Sequence, residues 1–158
     1  ATQIILRADS GFAREALMSW CEQHGVDYVF GLARNARLQR AIGRELQEAK
    51  AAADLTRRPA RRFRELAYRT GHTWSRTRRV IGKAEHTGDK ANPRFLVTSL
   101  SAKLWPAKAL YEELYCARGE MENRIKEAQL DRKRHLRAVW TWAASVRRMC
   151  PRRERGHI

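Results

Sequence analysis

The chain has 158 residues, 43% of them hydrophobic, with 33 Lys and Arg against 17 Asp and Glu, for a formal net charge of +16. That length favours one compact core, the apolar fraction excludes wholesale disorder, and no apolar run reaches the ~20 residues of a membrane helix. Three cysteines without metal-ligand spacing (Cys21, Cys116, Cys150) and an opening that does not read as a signal peptide set aside secreted and disulfide-framework classes and favour a reducing compartment.

The charge is unevenly spread. Residues 1–56 hold 7 basic and 7 acidic side chains, 57–94 hold 12 and 3, 95–130 hold 5 and 5, and 131–158 hold 9 and 2. The whole excess therefore lies in two blocks. The first, around Arg57, Arg58, Arg61, Arg62, Arg64, Arg76, Arg78 and Arg79, is rich in Arg, whose planar fork suits phosphate oxygens. One such block is an ordinary solvated face; two in so small a chain point to a polyanion, and nucleic acid fits better than a membrane surface.

In chain order, Ile4 to Asp9 reads as a short buried strand ending in a carboxylate, broken by Ser10-Gly11. A helix follows with Phe12, Ala16, Leu17, Trp20 and Cys21 on one face, closed by His24-Gly25. Val26 to Leu32 is a second strand, and a second helix runs from about Ala36 to Ala53 with Leu38, Ile42 and Leu46 at four-residue intervals. Strand–helix–strand–helix predicts parallel strands joined by crossover helices.

The character then changes. Arg57-Arg58-Pro59-Ala60 is a basic linker, and Phe63–Arg69, Trp74–Ala84 and Arg94–Leu100 read as three antiparallel strands carrying the first basic block. Trp105-Pro106 opens a helix with Leu110, Tyr111 and Leu114 on its apolar side. Beyond Asp131 the chain is a weakly specified basic tail in which Trp140 and Trp142 form no tidy apolar stripe.

Two features carry chemistry. Asp9 ends a strand, and in α/β folds strand carboxyl ends face the ligand crevice. On the later helix, Tyr115, Arg118, Glu122, Lys126 and Gln129 are spaced 3, 4, 4 and 3 and share one face, with Glu122 between two cations. The plain alternatives are a helix N-cap for Asp9 and solvated i,i+4 ion pairs for the helix. The functional reading pairs Asp9 with Glu122 as ligands for Mg²⁺ or Mn²⁺, with Arg118 and Lys126 holding a phosphate backbone.

At these residues the sequence resembles the DDE transposases of bacterial insertion sequences, within them the group with a Tyr-(2)-Arg-(3)-Glu-(6)-Lys signature, of the transposase DDE group 1 type. Tyr115, Arg118 and Glu122 match that spacing; the final Lys falls on Gln129, while Lys126 supplies a base on the same face. Arg7 to Phe12 (Arg-Ala-Asp-Ser-Gly-Phe) resembles the strand with the second catalytic Asp, and Tyr28–Asn35 and Asn123–Glu127 add local likeness. The resemblance covers Gln3 to about Leu130. It implies an α/β, partial RNase H-like fold with a β-rich insertion between the second Asp and the Glu, followed by C-terminal helices. The divisions would be a core at 1–56, a basic insertion at 57–104, the catalytic Glu helix at 105–130 and a divergent or frameshifted tail at 131–158.

By the same resemblance, Asp9 and Glu122 are catalytic residues and metal ligands for a two-metal Mg²⁺ or Mn²⁺ site that cleaves and transfers transposon-end DNA. Tyr115, Arg118 and Lys126 contact that DNA, as do Trp74, Arg76 and Arg78 in the insertion, where Trp74 either stacks on an unpaired base or simply packs. The partners implied are transposon-end and target DNA and a second copy in a homodimer on DNA, with no membrane, in a bacterial cytoplasm at the nucleoid. The family's first Asp is unassigned, because Asp27 and Asp54 follow Asp9 in the wrong order. The metal site is then incomplete, and the expectation is a transposase fragment that binds DNA without cutting it alone. The competing readings are a non-catalytic basic nucleic-acid-binding module and, third, another RNase H-like nuclease, which the Tyr-Arg-Glu spacing disfavours.

Overall fold

Strand β1 (Ile5–Ala8) and strand β2 (Asp27–Leu32) pair in parallel, from Ile5 against Asp27 to Ala8 against Phe30. A parallel pair needs a crossover, and helix α1 (Glu15–Gln23) supplies it. This is the arrangement that the strand–helix–strand pattern predicts. The computed structural model describes residues 3–71, 73–88 and 90–117. Arg118, Glu122 and Lys126, the tail 131–158 and most of the 105–130 helix therefore lie outside the described residues.

Helix α1 buries a different face from the one its sequence suggests. Met18 and Cys21 are buried, whereas Phe12 and Trp20 stay about half exposed. The cause is the late start of the helix. Residues Ser10–Phe12 form a 3-10 turn, and Arg14 is extended at φ −110°, ψ 144°, so Phe12 never joins the helical periodicity. His24 caps α1 at its C-terminus, as expected, with Gly25 following.

The helix read across Ala36 to Ala53 is two helices, α2 (Ala36–Ala41) and α3 (Gly43–Thr56). Ile42 between them is non-helical, at φ −108° and ψ 19°, and fully buried. A side-chain carbon on Gly82 would come within 2.6 Å of Ile42 Cγ2. The bare backbone of Gly82 thus makes the room into which Ile42 drops. Asn35 starts α2 by accepting the Leu38 N–H at 2.9 Å.

Strands β3 (Ala60–Tyr68), β4 (Arg78–Thr87), the two-residue β5 (Lys90–Ala91) and β6 (Arg94–Thr98) follow, all antiparallel. They build no separate layer. Strand β6 pairs with β2, which gives one mixed sheet of order β1-β2-β6-β4-β3 with β5 beside β4. The middle strand begins at Arg78, so Trp74 and Arg76 lie in the connection before it rather than on a strand face.

The central strands are buried on both faces, which is why β2 is apolar almost throughout. Tyr28, Phe30, Val80 and Ala84 point to one side, into a cluster with Met18, Cys21, Leu38 and Ile42. Val29, Ile81 and Leu96 point to the other, against Leu110 and Tyr111. Those last two come from the predicted Trp105-Pro106 helix, which opens as a short α4 (Ala107–Ala109) and passes into a π-helical segment, Leu110–Tyr115. The chain divides after Cys116 into two units, Ala1–Cys116 and Ala117–Ile158, and the sheet belongs to the first. Among the described residues no helix is long and apolar enough to cross a membrane.

Candidate functional site

The carboxyl ends of β1 and β2 lie side by side because the strands are parallel, and a crevice opens there. It has a volume of about 670 Å³ and is lined by Asp9 and Ser10 after β1, Gly31 to Arg34 at the end of β2, Lys83 of β4, Asn92 to Leu96 leading into β6, and Tyr111 and Tyr115. Asp9 is exposed, and its Oδ1 accepts the Gly11 N–H at 2.9 Å, so it caps the 3-10 turn while facing the crevice. The plain reading of Asp9 as a cap thus describes its bond to Gly11, and the same residue belongs to the crevice lining.

Tyr115 reaches the same place from a distant part of the chain. A side-chain carbon on Gly31 would meet the Tyr115 hydroxyl at 2.9 Å, the Ser10 nitrogen at 3.0 Å and the Asp9 carbonyl carbon at 3.3 Å. Only a glycine leaves that gap, so Gly31 lets the tyrosine hydroxyl settle over the strand end beside Asp9. Two further contacts hold the π-helical segment in place. Arg7 donates through Nη1 to the Leu114 carbonyl at 2.7 Å, tying β1 to the segment. Tyr111 packs against Phe63 and Tyr115, with ring centroids 5.6 and 5.9 Å apart.

Lys83 and Asn92 of the crevice lining belong to an ionic cluster centred on Glu85. Lys83 donates to Glu85 Oε2 at 2.6 Å and lies 5.2 Å from the Tyr111 ring centroid. Glu85 also accepts from Arg61 Nε at 2.6 Å and from Asn92 Nδ2 at 3.0 Å, and Arg61 bridges on to Glu112 at 3.2 Å. Burial alone would raise the Glu85 carboxyl, but the bonds from Lys83 and Arg61 outweigh it and hold the group below the ordinary carboxylate value. Burial likewise pushes the Tyr111 phenol up to about 12.

Of the other sequence-predicted residues, Trp74 is 3% exposed and packs edge-on against Tyr68, at 5.8 Å and 88°. It is a core side chain with no face left for a base. Arg78 is also internal. Its side chain is 2% exposed and bonds Glu22 through Nε at 2.7 Å and Glu15 through Nη1 at 2.7 Å, and its guanidinium lies over the Trp74 ring. Arg76 is exposed and 3.4 Å from Glu22. Neither Trp74 nor Arg78 thus offers a surface to DNA, and none of the three lines the crevice. The spacing Trp-x-Arg-x-Arg looked like one strand face; burial and the two carboxylates, 63 and 56 positions from Arg78, explain it instead.

Sequence reasoning missed Arg34 and Arg94, the two exposed cations of the crevice lining. Arg34 had a signal, since it follows the end of a parallel strand as Asp9 does. Arg94 had none, because its strand joins the sheet through an antiparallel pairing that the sequence does not announce.

A carboxylate oxygen is a hard donor of the kind Mg²⁺ and Mn²⁺ take. Asp9 fits that chemistry, but among the described residues no group of three or more His, Cys, Asp and Glu side chains could hold a metal ion. The described residues therefore furnish one fitting ligand rather than a complete set. Glu122, the other expected ligand, lies outside them.

The site is thus a crevice at the carboxyl ends of the parallel pair, lined by the carboxylate of Asp9 and by the cations Arg34, Lys83 and Arg94. The family described as transposase DDE domain group 1 matches residues 1–147, and the chain belongs to that family. It is thus a DDE transposase domain, of a family whose work is transposition and whose substrate is DNA. No curated protein and no solved structure matches the chain.

Proposed function

We propose that this domain processes transposon-end DNA of a bacterial insertion sequence through an RNase H-like catalytic core, with Asp9 and Glu122 as its two identifiable acidic residues. The observation that carries this reading is the place of Asp9, at the carboxyl end of a parallel strand in a cationic crevice of a transposase-family chain. Asp9 would hold Mg²⁺ or Mn²⁺ together with Glu122 and at least one more carboxylate. When bound, such ions supply Lewis-acid activation of an attacking water or 3′-hydroxyl and charge stabilisation at the leaving oxygen. Arg118 and Lys126 would hold the phosphodiester backbone, and Tyr115 would line its path beside Gly31. The β-rich segment 57–104 would lie along the transposon end, and two copies would assemble on DNA.

In this reading the chain alone binds DNA without cutting it, because the first acidic residue of the family's set is unassigned among its carboxylates. Incubation with supercoiled plasmid and Mg²⁺ or Mn²⁺ tests both parts. The expected result is retarded plasmid without nicks, together with Mn²⁺ binding, followed by paramagnetic resonance, that Asp9→Asn abolishes. Nicking that disappears in Asp9→Ala or Glu122→Ala would overturn the inactivity while keeping the metal site. Salt-sensitive DNA binding with no Mn²⁺ bound at all would overturn the metal site and leave a basic nucleic-acid-binding module.

A further inference from the structure

Among the described arginines, those that bond carboxylates of the protein can be set apart from those that line the Asp9 crevice. Arg61, Arg64, Arg78 and Arg79 each bond a carboxylate of the protein: Glu85 and Glu112, Glu45, Glu15 and Glu22, and Glu65 respectively. Part of the basic block is therefore engaged within the protein, on charge pairs that tie β3 and β4 to α1, α3 and each other. Arg34 and Arg94 are different. Both are exposed, both line the Asp9 crevice, and neither is paired with a carboxylate among the described residues. The third cation of the crevice, Lys83, is buried and bound to Glu85.

We infer that Arg34 and Arg94 form a phosphate clamp at the Asp9 crevice, gripping the DNA backbone on either side of the phosphodiester presented to Asp9. This rests on the reading of the crevice as the DNA-processing site. Electrostatics favours it: two exposed guanidinium groups share the lining with a single described carboxylate, Asp9, so the mouth attracts a polyanion. Geometry favours it as well. Arg34 comes from the loop after β2 and Arg94 from the start of β6, strands that are paired neighbours. The clamp is thus anchored on adjoining elements of the rigid sheet. Arginine suits the role because its fork can bond two phosphate oxygens at once, and an unpaired fork loses no internal bond when DNA arrives. The two residues are positioning and binding groups; they carry no proton in the reaction.

The test uses the full chain, a fluorescent DNA duplex of about 30 bp and EDTA, titrated between about 50 and 200 mM salt. The double variant Arg34→Ala/Arg94→Ala is compared with Lys103→Ala/Lys108→Ala, which removes two exposed charges that do not line the crevice. Each phosphate contact contributes about 0.9 to the salt slope, so the clamp variant should lose roughly two units of slope and about tenfold in affinity per contact near 0.1 M salt. The Lys variant should lose far less, and Arg34→Lys/Arg94→Lys should fall between the clamp variant and wild type. Equal losses in the clamp and Lys variants would overturn the clamp and leave the DNA reading standing, with net charge as the attraction. A wild-type chain that does not bind the duplex would overturn both. Unchanged far-ultraviolet circular dichroism and melting are expected for the clamp variant, since neither side chain is buried; a lost fold would show that these residues are structural and would overturn the assignment.

Discussion

The Tyr115 hydroxyl sits where a methyl group on Gly31 would have to go, 2.9 Å from the position of the missing carbon. That contact joins residues 84 positions apart, and both line the crevice that Asp9 faces. It makes the strand end and the π-helical segment parts of one surface.

Gly31→Ala should therefore destabilise the domain by about 1–3 kcal/mol through overpacking. Tyr115→Phe should relieve part of that cost, because it removes the atom nearest the new methyl; the Ser10 nitrogen at 3.0 Å remains. Urea unfolding of wild type, both single variants and the double variant forms a cycle that checks this. The expected coupling is a smaller cost for Gly31→Ala in the Tyr115→Phe background, and strict additivity would show that the two groups do not compete for the same space.

Arg78→Met should be far more damaging. The guanidinium is nearly inaccessible and answers two carboxylates of α1, so its removal leaves Glu15 and Glu22 facing each other with their main counter-charge gone. Losing one partner of a buried pair costs about 3–5 kcal/mol. Chemical denaturation should show that loss, or no folded protein at all, while Arg76→Met, whose side chain is 62% exposed, should change stability little.

Acid should act through the same cluster. Glu15 is held at about 2, against an ordinary 4.5, chiefly by its bond from Arg78, with Ser75 and Ser19 also donating to it. Burial would raise Glu22, but Arg78 and Tyr28 hold it below its ordinary value too. In both cases the unfolded chain takes up protons first, so the stabilisation is complete above pH 4.5 and is lost as pH falls toward 2. Melting temperature followed from pH 7 downward should fall across that window, and Glu15→Gln should flatten the fall. A melting temperature indifferent to pH between 5 and 2 would show that the pair does not titrate with folding.

Trp74→Phe should lower stability and leave DNA affinity within about twofold of wild type, measured where both proteins are folded, because a buried side chain outside the crevice lining touches no ligand there. The ring packs on Tyr68 under Arg78, away from the crevice lining. A large loss of affinity in a fully folded Trp74→Phe protein would return this residue to the DNA surface.

What the sequence reveals and what it hides follow one rule here: local pattern is visible and distant pairing is not. The β1–α1–β2 unit was legible because Ile-Ile-Leu before Asp9, the His24-Gly25 stop and the apolar run of β2 are all local signals. So was the placing of Asp9 at a strand's carboxyl end. The break at Ile42 was hidden because its cause, the space at Gly82, lies 40 positions further on. The burial of Arg78 was hidden for the same reason, its carboxylates being on α1. The basic block read as one DNA-facing surface because pairing with Glu45, Glu65 and Glu85 leaves no trace in a count of charges.

The bond from Arg7 to the Leu114 carbonyl spans 107 positions, and this has a consequence for the order in which the protein comes into being. A ribosome adding ~5–20 residues per second releases Arg7 roughly 5–20 s before its partner exists. Throughout that interval Asp9 can be in place on its strand, yet the wall formed by Tyr111 and Tyr115 cannot be. The crevice is the last part of the described domain to be completed, so a nascent chain carries Asp9 for some time before the wall opposite it exists.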